Sequence, residues 1–263
     1  MIRGFYAAAA GMNTMLARAQ LITNNLTNVN TPGFKQDVLR LRSFQQTLNA
    51  SIFAGGPVRP IGAFGMGIVN EGITTLHTQG QLQQTINPHD IALQGPGFFQ
   101  IQTPDGIRYT RDGAFHRDAN GTLITPEGYA LLGANGPITV GIDDFNITRE
   151  GNVIVQQQTI DPDGNLLVED QVIDELALVA FERPDDLKKI GNSLFEIAGP
   201  NVPTPLPADD IVVLQGFLEL SNVDAARAMA DLMVAQRAYE SNQRSLGLQD
   251  EILGRAVNDI GRL

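Results

Sequence analysis

The chain's three histidines, His77, His89 and His116, stand 12 and 27 residues apart. A metal centre needs ligands at helical or turn spacing, and with no cysteine in the chain no thiolate can complete one. The histidines read as loop residues. Asp161-Pro162-Asp163-Gly164-Asn165 has the look of a calcium loop. Such a loop needs glycine at its sixth position, where this chain has Leu166, so an ordinary hairpin turn is expected. Asp105, Asp112, Asp118 and Glu127 could supply paired carboxylates for glycoside hydrolysis, but each lies in a turn signal, where acidic residues are common anyway. Gly65-Met66-Gly67 is a lone GxG, no GxxxxGK[ST] phosphate loop occurs, and there is no GxSxG elbow. The pattern predicts no catalytic residue, no metal ligand set and no cofactor.

If the residues do no chemistry, the elements that carry them become the question. Hydrophobic residues make up 43% of the 263 positions and charged residues only 18%. A core can be buried, and the low charge fraction suits a surface that neighbours cover. Net charge is −11 and unevenly spread. Residues 1–50 hold five Lys/Arg against the single acid Asp37; residues 216–263 hold five Arg against seven acids; the segment between is left with a net −13. An acidic middle and sparse aromatics argue against nucleic acid. Neither a cleavable secretory leader nor an apolar run long enough to span a membrane is read.

Both ends of the chain carry helical period. Phe5, Ala8, Met12, Met15, Ala19, Ile22, Leu26 and Val29 alternate steps of three and four, a heptad seam that stops at Asn28, Asn30, Pro32 and Gly33. Ala225, Ala228, Leu232, Ala235, Tyr239, Asn242, Leu246, Gln249, Leu253, Ala256 and Ile260 repeat the pattern at the other end, with Ser221 and Asp224 spaced as a capping box. Asn242 and Gln249 interrupt the apolar seam, which costs stability and can fix register.

Between the helices the period becomes that of hairpins. Asp105-Gly106, Asp112-Gly113, Asn120-Gly121, Glu127-Gly128 and Asn135-Gly136 recur every seven or eight residues, and Glu150-Gly151 and Asp163-Gly164 follow. This punctuation predicts short antiparallel strands. Pro200 to Pro207 reads as a loop.

The fold expected is therefore α+β: long N- and C-terminal helices pairing as an antiparallel coiled coil, with a mainly antiparallel β domain between them. The expected organisation is an assembly helix over 1–30, a Gly-rich connector over 31–75, a β domain over 76–215 able to fold alone, and an assembly helix over 216–263 packing on the first. Apolar seams with no third helix to cover them mark assembly elements. The candidate assembly residues are Phe5, Met12, Ile22, Leu26, Leu232, Tyr239, Leu246 and Leu253.

The stretch Leu21-Ile-Thr-Asn-Asn-Leu-Thr-Asn-Val-Asn-Thr-Pro-Gly-Phe-Lys35 resembles the N-terminal signature of flagellar rod and hook proteins. Gly216-Phe-Leu-Glu-Leu-Ser-Asn-Val-Asp224 and Gln236-Arg-Ala-Tyr-Glu240 resemble their C-terminal signature. Gln79-Gly80, Asp90-Ile-Ala-Leu-Gln-Gly-Pro-Gly-Phe-Phe99 and Tyr109-Thr-Arg-Asp-Gly-Ala-Phe115 resemble the rod members, and Gly65-Met-Gly67 leading to Thr78-Gln-Gly80 favours the distal-rod branch. His89 departs from that pattern, where Leu is usual. The resemblance implies a non-enzymatic subunit of the basal-body rod, outside the cytoplasmic membrane, polymerising into a helical tube that transmits torque to the hook. It implies as partners further copies of itself, other rod and hook proteins, the rings around the rod and the flagellar export apparatus. The alternatives are a proximal-rod or other hook–basal-body protein, and a secreted β-rich adhesin or enzyme.

Overall fold

A computed structural model describes residues 2–43, 47–51, 59–64, 68–141, 145–160, 166–197, 204–205 and 211–260. Gly65-Met66-Gly67, the turn at 161–165 and most of the proline-rich segment lie outside the described residues; Thr204–Pro205 within that segment is a short strand. The chain divides into two compact units. One comprises Met1–Thr27, Asp37–Thr74 and Asp224–Leu263; the other comprises Asn28–Gln36 and Thr75–Val223.

The first unit is built on two helices, α1 (Ile2–Thr27) and α2 (Ala225–Ile260). An alanine-rich start suits α1 to the helix, since alanine loses no side-chain entropy there. The helix stops three residues before the expected boundary, because Asn28 and Thr31 close a turn ahead of Pro32. The start of α2 also differs from expectation. Asp224 is the cap: its Oδ1 accepts from the backbone N–H of Ala226 at 2.9 Å and of Arg227 at 3.1 Å. The Ser221 hydroxyl instead accepts from Val223 N–H, so no capping box forms.

Four strands also lie in the expected connector: Asp37–Ser43 pairs with Ile68–Thr75, and Thr47–Ser51 with Arg59–Phe64. Its Gly and Pro residues obscure β-prone stretches such as Ile73-Thr74-Thr75. The buried Asn25 ties α1 to the first of these strands. Its amide donates to Asp37 C=O at 2.8 Å, and its Oδ1 accepts from Asp37 N–H at 3.0 Å.

Among the described residues of the second unit the elements are strands, apart from a short 3₁₀ turn at Pro184–Asp186. Its largest sheet follows the path Leu187–Gly191, Leu194–Ile197, Gly106–Thr110, Phe98–Thr103, Ala130–Gly133, Leu123–Ile124, His116–Arg117, and each neighbouring pair is antiparallel. The hairpin Phe98–Thr103/Gly106–Thr110 turns at Asp105-Gly106, where Gly106 has φ +122°, a region that favours glycine. Phe99, Ile101, Phe115, Leu123, Leu131 and Ile138 form the centre of the main core, with Phe99 and Phe115 packed edge to face at 5.3 Å. A second cluster gathers Phe98, Tyr109, Phe181 and Phe195. Two late strands complete this unit: Val212–Gln215 pairs with Ile91–Gln94, and Phe217–Glu219 with Leu82–Gln84. The structure thus places Gly216–Val223 with the β unit, whereas the sequence reading grouped them with the C-terminal helix.

Candidate functional site

The two helices lie side by side and run in opposite directions. Gly4 faces the Gln249 amide, Gly11 faces the Asn242 amide, and Arg18 Nη2 is 3.8 Å from Asp231 Oδ1. The contacts on α1 thus recur every seven residues. A Cβ on Gly4 would fall 2.7 Å from Gln249 Nε2, and one on Gly11 3.0 Å from Asn242 Nδ2. The two polar interruptions of the α2 seam therefore seat against glycines, which leave room for an amide. Gln249 Oε1 is buried with no hydrogen-bond partner.

The α2 seam faces inward largely as its spacing predicts. Ala228 and Ala235 are buried, and Leu232, Tyr239, Leu246 and Leu253 are half-buried. The α1 seam is turned by one position. The inward line runs through Gly4, Ala8, Gly11, Arg18, Ile22 and Asn25, so Ile22 is buried while Met12 and Leu26 are half-buried and Phe5 stays exposed. At Gly4, Ala8 and Gly11 small residues take the inward face and leave room for the facing helix, a choice that heptad spacing of apolar residues does not reveal.

Large apolar side chains are consequently left outside. Phe5, Tyr6 and Leu16 are exposed on α1; Met229, Met233, Val234, Leu248, Ile252 and Val257 are exposed on α2. These α2 residues fall outside the seam, and the i, i+4 pairs Met229 with Met233 and Leu248 with Ile252 lie on different sides of the helix.

The second unit contains a buried charge cluster whose members lie within the signature stretches but carry no local mark of their meeting. Glu219 and Lys35 are each 1% exposed and Arg111 is 5% exposed. Lys35 Nζ lies 2.5 Å from Glu219 Oε1 and also donates to Thr78 C=O at 2.8 Å. Arg111 donates through Nη1 to Glu219 Oε2 at 3.3 Å and through Nη2 to Gly95 C=O at 2.6 Å. Gly80 N–H donates to Glu219 Oε1 at 2.8 Å, and Gly33 N–H to Glu219 C=O at 2.7 Å. Burial pulls the Lys35 ammonium and the Arg111 guanidinium below their ordinary pKa values, and the Glu219 carboxylate opposes that pull.

The residues that spacing offered for chemistry are placed apart from one another in role. His77 packs against Phe98 and Phe195, at 5.6 and 5.2 Å between ring centroids, with neither ring nitrogen hydrogen-bonded. Burial, with Lys35 nearby, lowers its pKa to about 4. Asn87 Oδ1 accepts from the His89 backbone N–H at 3.2 Å and lies 3.0 Å from its Nδ1, and His116 is exposed on an edge strand. Asp118 takes the N–H groups of Asn120 and Thr122 within its own turn. Burial pushes Asp112 up to about 6, against the Ala114 N–H that stabilises its charged form. Among the described residues no group of three or more His, Cys, Asp or Glu is placed to hold a metal.

Comparison with known proteins matches residues 92–168 to the family described as flagellar hook protein FlgE/F/G D1 domain. Residues 214–259 match the family described as flagellar basal body rod FlgEFG protein C-terminal. The flagellar basal-body rod protein FlgG of Bacillus subtilis (strain 168) is 33% identical over 98% of this chain and 99% of its own. FlgG of Agrobacterium fabrum (strain C58 / ATCC 33970) is 34% identical over 95% and 97%. The rod protein FlgF of Caulobacter vibrioides (strain ATCC 19089 / CIP 103742 / CB 15) is 30% identical over the full length of both.

Proposed function

This chain belongs to the flagellar basal-body rod protein family, and from that premise we propose that its helix pair polymerises through the apolar side chains left outside the α1–α2 contact. It is a structural subunit of the rod, located in the flagellar basal body outside the cytoplasmic membrane. We read its position as the distal rod, a reading that likeness to FlgG supports, and the family's role is structural rather than enzymatic. No helix among the described residues is long and apolar enough to cross a membrane.

The observation that carries the assembly reading is the exposure of Met229, Met233, Val234, Leu248, Ile252 and Val257 on a helix whose seam is already covered by α1. Apolar side chains that the pair leaves in water, on more than one side of α2, are available to neighbouring subunits. The α1–α2 pair itself we read as an antiparallel coiled coil, supported by contacts that recur every seven residues on α1. Ile22, Leu232, Tyr239, Leu246 and Leu253 then hold the pair in one register, while Phe5, Met12 and Leu26 flank it and take part in subunit contacts. Head-to-tail contacts of this kind that do not close give a helical tube, the form that carries torque from motor to hook. Other axial proteins are the partners that family membership supports; the surrounding rings and the export apparatus follow from the same reading.

The test is Met233→Asp in the full chain. Its thermal unfolding should match the unsubstituted protein, whereas cells carrying it should build no complete rod and should not swim. Normal basal bodies and swimming would refute the exposed apolar side chains of α2 as assembly contacts.

A further inference from the structure

We infer that the Lys35–Glu219–Arg111 cluster makes folding of the β unit conditional on both ends of the chain. Lys35 comes from the segment that follows α1, Arg111 from the middle of the chain, and Glu219 from the last strand before α2. The three are held in a space with no slack. A Cβ on Gly80 would fall 1.9 Å from Leu220 C=O, and one on Gly33 2.3 Å from Asp112 N. The backbones of residues 33, 80, 111–112 and 219–220 are thus in direct contact around the charges. Asn222 adds a second tie between the same segments: its Oδ1 accepts from Gln36 N–H at 2.7 Å and its amide donates to Leu76 C=O at 2.9 Å.

Charge decides what this arrangement does. Two cations share one carboxylate, and all three side chains are buried. Without Glu219 the site would enclose two like charges with no counter-ion, which a folded interior does not tolerate. A chain that emerges N-terminus first therefore presents Lys35 and Arg111 long before their anion. The β unit remains open until residues 211–222 join it, because the same segment also supplies the strands that pair with Ile91–Gln94 and Leu82–Gln84. Residues 76–215 alone lack both Lys35 and Glu219 and would leave the Arg111 charge without its counter-ion. This inference concerns folding and does not depend on which face of the helix pair polymerises.

Full-length variants test it by hydrogen exchange, read on the strands Phe98–Thr103 and Gly106–Thr110. Glu219→Gln keeps the shape and removes the anion, and should accelerate exchange there by on the order of 100- to 1000-fold. Lys35→Met leaves the Arg111–Glu219 pair balanced. Thr78 C=O keeps the Asn222 amide at 3.2 Å, so exchange should rise by less than about tenfold. Adding Lys35→Met to Glu219→Gln removes one of the two uncompensated cations and should restore part of the protection. The inference is overturned if Glu219→Gln exchanges within about tenfold of the unsubstituted chain. It is equally overturned if Lys35→Met is as damaging as Glu219→Gln, or if the double variant recovers nothing, since the loss would then follow packing rather than charge.

Discussion

The helix-pair unit and the β unit spend their hydrophobic residues in opposite ways. In the β unit Phe99, Phe115, Ile101 and Leu131 are wholly buried, and even the charged Glu219 and Lys35 are enclosed. On the two helices the fully buried apolar side chains are few and mostly small or medium: Ala8, Leu21, Ile22, Ala228 and Ala235. Met233, Leu248, Ile252 and Tyr6 remain in contact with solvent. Apolar area removed from water is the main stabilising quantity in folding, at roughly 25 cal/mol per Å². The β unit therefore holds its own stability, whereas the helices keep much of theirs in reserve for contacts with other chains. A protein that must exist first as a monomer and then as part of a rod is served by that division.

The comparison is broken most forcefully at Phe99. Phe99→Ala should lower the stability of the β unit by about 3–5 kcal/mol, as urea unfolding followed by circular dichroism would measure. An unchanged midpoint would mean that the core is not where the structure places it. A smaller effect is expected at Ala235, which is 1% exposed on the inner face of α2. Ala235→Leu should overpack the α1 contact and cost about 1–3 kcal/mol in the helix signal while leaving the β unit intact. If the helices tolerate leucine there without loss, the inner seam is looser than the glycine contacts indicate.

His77 and Asp112 sharpen the contrast through pH, because burial shifts both away from their ordinary values. The folded pKa of His77 lies at about 4, below its usual 6.5, so the unfolded chain binds more protons between those values. Stability from this residue is complete above about 6.5 and is lost as pH falls toward 4. His77→Phe should remove that loss, worth on the order of 2 kcal/mol at pH 4. Asp112 has the opposite sign. Its folded pKa of about 6 exceeds the usual 3.8, so its contribution declines as pH rises from about 4 to 6. Asp112→Asn should therefore raise stability at pH 7 by on the order of 1 kcal/mol and flatten that limb. Denaturation midpoints measured across pH 4–7 for each variant separate the two slopes.

The mildest test lies at Gly11. A methyl group there would meet the Asn242 amide at 3.0 Å, and a flexible side-chain end can yield. Gly11→Ala should change helix-pair stability by no more than about 1 kcal/mol, because helix propensity gained offsets part of the crowding. Combining it with Asn242→Ala should remove the crowding, so a helix melting point that stays low in the double variant would show that the two residues do not meet.

Much of the architecture was legible in the residues. Alternation of three and four at both termini announced two long helices, and the Asx-Gly and Glu-Gly pairs announced hairpins, because backbone geometry imposes those periods directly. Helix ends were legible to within a few residues, and they shifted where two signals competed. Asp224 took the cap that Ser221 was expected to supply, and the turn at Asn28 closed α1 ahead of Pro32. The candidate assembly residues lie on seams; on α2 the seam is the inner contact of the pair, and on α1 only part of it, Ala8 and Ile22, is buried.

Local period and turn chemistry, which depend on near neighbours alone, thus determined the helices, the hairpins and the family signatures. Which face of each helix turns inward, and which residues remain for a neighbour, depended on Gly4 and Gly11 meeting Gln249 and Asn242 from more than 230 residues away in the chain. The meeting of Lys35, Arg111 and Glu219 was likewise settled only by the tertiary fold, since 184 residues separate the two that lie closest. Nothing in a charge's neighbours along the chain tells which distant partner will share its burial.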